Sequence, residues 1–412
     1  MVPRASFSWV THKLRGKGNL PLGTSNRINM PDVAEKILAD GHADMVSMAR
    51  PFLADPDFVN KAAEGREDEI NTCIACNQAC LDHLFENKSA SCLVNPRACH
   101  ETDLNYHPTE HTKSLAVVGA GPAGLAFATV AAERGHRVTL FEADEQIGGQ
   151  FNLAKKIPGK EEFHETIRYF NRKLELTGVT LKLGQKVDAQ MLLKGGFDAV
   201  VLATGVHPRT PAIEGIEHPK ALSYLDVLKK NVPVGKNVAV IGAGGIGFDI
   251  CEYLSHEDPT KGDDIADYLS KWGIDSTHQA RGGIEGIEAH TEASSRNITM
   301  MQRSPGKLGR RLGKTTGWAH RAHLKNKKVR MLGNAEYIKI DDVGLHVRID
   351  GEVQIMEVDH VVVCAGQESN RDLQSELEKG GATVHLIGGA HKALELDAKH
   401  AIDQGTRLAA QI

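Results

Sequence analysis

The stretch 114–144, SLAVVGAGPAGLAFATVAAERGHRVTLFEAD, decides the fold. Leu115–Val118 is a continuous apolar run, as expected of a strand buried on both faces of a parallel sheet. Gly119, Gly121 and Gly124 then supply G-x-G-x-x-G, and Leu125–Arg134 continues as a helix. The first glycine permits a tight turn, and the second lets a pyrophosphate approach the backbone. The third lets helix and strand pack closely, while the helix N-terminus stabilises phosphate charge. A second strand, Arg137–Phe141, ends in Glu142, 23 positions after Gly119. A carboxylate there accepts hydrogen bonds from ribose hydroxyls and repels a 2′-phosphate, which selects FAD or NAD over NADP. The flanking strands and Glu142 weigh against an ordinary glycine turn.

The pattern recurs at 237–253, NVAVIGAGGIGFDICEY, where Val238–Ile241 leads into Gly242, Gly244 and Gly247. A polar segment, 255–296, reads as a surface insertion before the next strand, Asn297–Met301, which ends in Gln302-Arg303-Ser304. No carboxylate stands where Glu142 stood. Arg303 offers a fixed charge and a planar donor fork suited to the 2′-phosphate of NADP; a solvated surface arginine is the plainer alternative. The chain returns through Asp359–Ala365, and VHLIGGA places Gly388-Gly389-Ala390 after an apolar strand.

Four of the seven cysteines fall between 73 and 92, as Cys73, Cys76, Cys80 and Cys92. Thiolates are soft ligands that suit a [4Fe–4S] cluster or zinc. Three cysteines crowd one turn and the fourth comes later, unlike the two compact pairs of structural zinc sites, so the spacing favours the cluster. Zinc and unliganded core cysteines remain the alternatives. Cys99, Cys251 and Cys364 lie outside the spacing and read as small core residues. No C-x-x-C or C-x4-C pair occurs in 140–180 or near Gly247, which argues against thiol–disulfide exchange.

The rest of the composition excludes more than it assigns. With 49 basic and 53 acidic residues the net charge is −4, and no basic stripe points to nucleic acid or a membrane surface. No apolar run approaches the roughly 20 residues of a membrane helix. The N-terminal MVPRASFSWVTHKLRG lacks a signal-peptide core, and clustered cysteines suit a reducing compartment, so a cytoplasmic location is expected. Residues 19–65 read as two strand–helix units: Asn19–Ile28 extended, helix Pro31–Asp40, strand Ala43–Ala49, helix Asp55–Glu64. Two such units cannot close a sheet, and they resemble the last pieces of a larger barrel.

A thiolate-cluster motif followed by two nucleotide units and preceded by two βα units resembles the bacterial NADPH-dependent 2,4-dienoyl-CoA reductases, relatives of trimethylamine dehydrogenase and the old yellow enzymes. INTCIACNQACLDHLF, SCLVNPRACHET, LAVVGAGPAGLAFA, IGGQFNLAKKIPGKEEF and ELDAKHAIDQGTRLA carry the resemblance along nearly the whole chain. It implies an α/β chain: the end of an FMN-binding (β/α)8 barrel over 1–65 and a [4Fe–4S] segment over 66–112. An FAD domain over 113–206 and 355–412 would then be interrupted by an NADPH domain over 207–354. Gly149 and Gln150, Thr204 and Gly205, and Gly389 match segments that border FAD in two-dinucleotide flavoproteins. Asn26, Arg27, Ala49 and Arg50 match FMN-contacting positions at the ends of the seventh and eighth barrel strands.

The resemblance further implies electron flow from NADPH to FAD, to [4Fe–4S], to FMN and to a dienoyl-CoA. The proton-donating residues of the family belong to the part of the barrel without a counterpart here, so no catalytic residue is assigned. Dienoyl-CoA is expected as a partner only if the rest of the barrel is supplied. The alternatives are an electron-supplying subunit that docks on a separate FMN protein, and an inert remnant of a truncated gene.

Overall fold

The computed structural model describes residues 2–262, 264–277, 279–394 and 397–412. Glu395 and Leu396 of the C-terminal motif, and Asp263 and His278 of the polar segment, lie outside the described residues. The chain forms two compact units, one of Met1–Asn152, Glu162–Val206 and Ser369–Ile412, the other of Leu153–Glu161 and His207–Glu368.

The first unit is built on a five-stranded parallel sheet in the order Val384–Leu386, Ala199–Leu202, Ser114–Val118, Arg137–Phe141, Thr180–Lys182. Ser114–Val118 stands between neighbours reached by connections leaving in opposite directions, which opens a crevice at its C-terminal end. The helix that follows, Pro122–Glu133, has proline in its first turn, where the missing N–H costs nothing. It is enclosed on all sides, with Leu125, Phe127 and Ala128 fully buried. The C-terminal helix Ala398–Gln411 covers it, and Gly405 makes that possible: a Cβ there would stand 2.3 Å from the Ala123 carbonyl oxygen.

The N-terminal segment packs into the same unit. Its strands are shorter than the sequence suggests: only Gly23–Thr24 and Met45–Val46 pair, in parallel. Asn26 and Arg27 both turn to positive φ, 75° and 53°, which ends the first strand at once. The expected helix Asp55–Glu64 starts later, at Phe58, and a separate helix spans Arg50–Ala54. Asp55 is held between them, its carboxylate accepting from the Asp57 and Asn71 N–H groups and from Lys61 Nζ.

The second unit repeats the plan, with strands in the order Arg330–Leu332, Asn297–Met301, Asn237–Ile241, His360–Val363, Ala221–Ser223. An antiparallel sheet of Ala335–Ile340, Gly344–Ile349 and Glu352–Glu357 adds to it. The expected return to the FAD domain at residue 355 is therefore corrected: His360–Val363 pairs with Asn237–Ile241, and the return comes at Ser369. The detour Leu153–Glu161 also belongs here, because Leu153 and Ile157 are buried in this unit's core. The polar segment is exposed over most of its described length and includes a helix, Ile265–Lys271, capped by Asp264. No helix among the described residues is long and apolar enough to cross a membrane.

Phe127→Ala would leave a void inside the enclosed helix layer, and we expect a loss of about 3–5 kcal/mol in urea unfolding followed by circular dichroism. A loss below about 1 kcal/mol would mean that this layer is not the close-packed core described.

Candidate functional site

The first glycine loop is fixed by backbone crowding. Gly119 has φ +104°, and a Cβ there would lie 2.5 Å from the Ala203 carbonyl oxygen; a Cβ on Gly124 would lie 1.9 Å from the Gly119 oxygen. Gly121, the helix N-cap, has open space where its Cβ would stand. The loop is thus bare on one side and immovable on the other, as an anion cradle at a helix N-terminus must be. Glu142 lies against it, Oε2 accepting from Ala120 N–H at 2.7 Å and Oε1 from Asp144 N–H at 2.9 Å.

The remaining residues expected around this loop come together in the same unit. Gly149, at φ +50°, sits where a Cβ would come within 3.0 Å of Gly121 Cα, and Gly148 N–H donates to the Ala120 oxygen. Gln150 is exposed beside it. Thr204 Oγ1 donates to the Asn370 oxygen at 2.7 Å, and Asn370 N–H returns a bond to the Gly205 oxygen. Gly389 is buried in the turn Gly388–Ala390, whose first N–H donates to Gln404 Oε1.

The second loop has the same construction in its own unit. Gly242 has φ +108° with a Cβ position 2.3 Å from the Cys364 oxygen, Gly247 would place a Cβ 1.9 Å from the Gly242 oxygen, and Gly244 faces open space. Arg303 lies exposed past the end of Asn297–Met301, in the turn where Gln302 Nε2 donates to the Ser304 oxygen. Lys307 and Arg310 are exposed further along the same connection, a run of positive charge that the reading of Arg303 alone had missed.

Cys73, Cys76, Cys80 and Cys92 line one small cavity with Arg50, Asn77 and Ser91. All are free thiols. Burial pushes the Cys92 thiol up to about 12 and raises Cys73 and Cys76 as well, with neighbouring thiols adding to the effect. Such thiols do not ionise unaided, so a cation at their centre is what would make them ligands. Four thiolates on one tetrahedral zinc stand about 3.8 Å apart, from a metal–sulfur distance near 2.3 Å. Among the described residues no three cysteine sulfurs lie within 4.8 Å of one another. Cys251 and Cys364 are buried, but Cys99 is exposed at φ +63°, which corrects its assignment to the core: it follows Ala98 in a tight surface turn.

The positions expected to face FMN are brought near the cysteines, though not equally free. Asn26 and Ala49 are exposed. Arg50 Nη1 donates to Asn77 Oδ1 at 2.7 Å, inside the cysteine loop. Arg27 is engaged internally, donating to the Val2 oxygen at 2.6 Å and to Glu162 Oε1 at 2.8 Å. Glu162 also takes two bonds from Arg4 and one from Asn29, whose amide bonds the Cys73 carbonyl. Asn77 and Glu162 lie within stretches that carry the resemblance, and Asn29 outside them, but none was assigned a role from sequence; the folded chain shows their partners.

Two Rossmann-type units, each with a cradle for a dinucleotide phosphate, define a flavin- and nicotinamide-dependent oxidoreductase. The sequence profile of the pyridine nucleotide-disulphide oxidoreductase family matches residues 113–391, and the chain belongs to that family. Residues 2–69 match the NADH:flavin oxidoreductase / NADH oxidase family. A metal reductase of Desulforamulus reducens is 34 % identical over 404 residues, 97 % of this chain and 59 % of that protein. A cinnamate reductase of Clostridium sporogenes is 30 % identical over 385 residues, 91 % of this chain and 51 % of that protein. The structure of a 2-naphthoyl-CoA reductase in complex with 2-naphthoyl-CoA superposes with a TM-score of 0.86 at 28 % identity, covering 100 % of this chain and 57 % of that one. The chain thus spans between half and three-fifths of the length of these relatives.

Gly119→Ala adds a side chain where neither φ nor space admits one, and we expect bound flavin to fall by more than about tenfold while circular dichroism shows the fold retained. A second expectation concerns acid. Burial opposes ionisation of Glu162, but its hydrogen bonds and charge contacts with Arg4 and Arg27 prevail, and its pKa lies below the ordinary 4.5. A depressed carboxylate contributes stability that is present above 4.5 and is lost as pH falls through the depressed value. The melting temperature of the wild type should therefore exceed that of Glu162→Gln at neutral pH, with the gap closing as pH drops below 4.5. A gap that stays constant in acid would contradict this.

Proposed function

We propose that the chain is the NADPH-oxidising, electron-transferring part of an enzyme resembling 2,4-dienoyl-CoA reductase, working in the cytoplasm. The first loop would hold FAD, the second NADPH, and Cys73, Cys76, Cys80 and Cys92 a [4Fe–4S] cluster. When bound, these groups supply hydride transfer, the change from two-electron to one-electron flow, and single-electron conduction.

The residues present do the rest. Gly121 and Gly244 leave the helix N-termini open to pyrophosphate. Glu142, anchored to Ala120 and Asp144, keeps a fixed negative charge at the ribose end of the first loop. Arg303 presents a guanidinium at the equivalent end of the second, and this difference in charge supports NADPH there and FAD at the first. The cysteine loop excludes water from most of the thiol surface.

One observation carries the reading. The cysteine loop touches Arg50, on the side expected to face FMN, through Asn77, and Cys73, Cys76 and Cys92 pack against the core that includes Ala120 and Ala123 of the first glycine loop. A redox centre between those two places is where a relay from FAD towards FMN would need it. Asn26, Arg27, Ala49 and Arg50 would supply only part of an FMN site, with the rest on barrel strands that this chain does not contain. The match of residues 2–69 supports an end of such a barrel. The reductases of cinnamate and of 2-naphthoyl-CoA among the relatives support a conjugated acyl acceptor in the complete protein.

Protein purified without oxygen is expected to carry about one FAD and about four irons per chain, both bleached by NADPH, and to reduce artificial acceptors but not a dienoyl-CoA. Cys76→Ser should lose the iron and keep the flavin. Arg303→Ala should raise KM for NADPH by about tenfold or more and leave KM for NADH unchanged. Iron-free wild type, or dienoyl-CoA turnover by the chain alone, would overturn the reading.

A further inference from the structure

At the far end of the helix that the second glycine loop opens, Gly245–Ser255, three donor side chains converge in a place that nucleotide binding does not use. Glu252 lies on the last turn and His256 follows as the C-cap, four residues on and therefore on the same face. His323 comes from a second helix, Gly317–Asn326. His256 is buried, and Glu252 and His323 are largely so. We propose that Glu252, His256 and His323 form a binding site for a divalent transition metal of the zinc class, which clamps these two helices together. The proposal is independent of which nucleotides the two loops bind.

The geometry is that of ligands around a common centre. His323 Nε2 lies 3.0 Å from Glu252 Oε1, and His256 Nδ1 lies 3.7 Å from the same oxygen. Donor atoms from all three residues fall within 4.8 Å of one another, and no other trio of His, Cys, Asp or Glu among the described residues comes so close. Ligands about 2.0–2.1 Å from a tetrahedral zinc stand about 3.3 Å apart. The two imidazoles are nearly parallel, at 9°, with centroids 6.0 Å apart.

Two further observations separate this group from a plain ion pair. The buried His323 Nε2, though close to the carboxylate, is not aligned with it as a hydrogen-bond donor and has no other hydrogen-bond partner. In the neutral ring, an unprotonated Nε2 offers its lone pair to a cation beside the carboxylate. His256 Nδ1 lies 2.8 Å from the Glu252 backbone oxygen. That contact holds the His256 ring beside the Glu252 carboxylate. Two imidazoles and one carboxylate form a borderline donor set that prefers zinc, nickel or copper to magnesium or calcium.

Lys327 is the competing cation. It is buried at the same corner, its ammonium donating to the Ser255 oxygen at 3.2 Å. Its charge near the Glu252 carboxylate opposes a second cation there. The clamp joins the end of one helix to the next and stands at the opposite end of Gly245–Ser255 from the glycine loop, which assigns it to stability of the unit and not to the redox chemistry.

The test uses the complete chain with its flavin and iron in place, dialysed against a mild chelator and titrated with zinc. Bound zinc and iron are measured by mass spectrometry and melting by calorimetry. His323→Ala keeps every cysteine, so zinc taken up at the thiols cancels in the comparison. Glu252→Gln, which preserves shape, guards against a folding defect in the first variant. Wild type is expected to take up one more zinc per chain than either variant. Its melting temperature should rise with zinc while theirs do not, and affinity at this site should fall by at least about 100-fold in both. Equal uptake by the three proteins, or a wild-type melting temperature indifferent to zinc, would overturn the proposal.

Discussion

In both units a helix begins less than a side chain's width from the strand that feeds it. A Cβ on Gly124 or on Gly247 would stand 1.9 Å from the carbonyl oxygen at the head of its own loop. That single contact sets the direction of each helix, brings its N-terminus to the edge of the sheet and leaves the second glycine facing open space. The surrounding elements follow from it. Ala203 and Cys364 close the loops from neighbouring strands, and in the first unit the C-terminal helix can cover Pro122–Glu133 only because Gly405 lets two backbones meet.

The segment before the first sheet is held by side chains more than by strands. Two residues from each of its strands pair, too few to hold it. Apolar packing of Ile28, Ile37, Met30, Phe58 and Ile70 is joined by a largely buried group in which Arg4, Arg27 and Asn29 converge on Glu162 at the start of the helix Phe163–Thr177. Arg168, from the same helix, bonds the backbone oxygens of Asp68 and Ile70 and the Thr72 hydroxyl. Breaking one partner of such a buried network leaves the others uncompensated. Thr72 immediately precedes the first cysteine, so these ions also position the thiol cavity.

What the sequence reveals and what it hides divide along physical lines. Gly119, Gly124, Gly242 and Gly247 were legible because only glycine fits a positive φ or so close an approach, while Gly121 and Gly244 keep the space beside the helix N-termini bare. Arg137–Phe141 and Asn297–Met301 were read to the residue, each a short β-prone stretch whose buried positions are apolar and whose polar residues, Arg137 and Thr139 or Asn297 and Thr299, stay more exposed. The 355 boundary failed because His360–Val363 has the same apolar texture as a strand of either sheet, and pairing partners are not written in composition. Leu153 and Ile157 were missed for the same reason. Asn29, Asn77 and Glu162 matter through partners up to 158 positions away, beyond any local pattern. The gathering of the four cysteines around one cavity is a property of loop conformation that their spacing alone does not give.

The second unit borrows part of its interior from a stretch encoded well before the rest. Leu153 and Ile157 fill its core, while the other residues of that core begin beyond position 207. A gene segment covering His207–Glu368 alone would therefore yield a protein with a groove where two aliphatic side chains belong. Such a module cannot be shuffled between proteins as one contiguous cassette. The detour acts as a genetic latch: recombination that keeps the second unit intact has to carry a piece of the first unit's coding sequence with it.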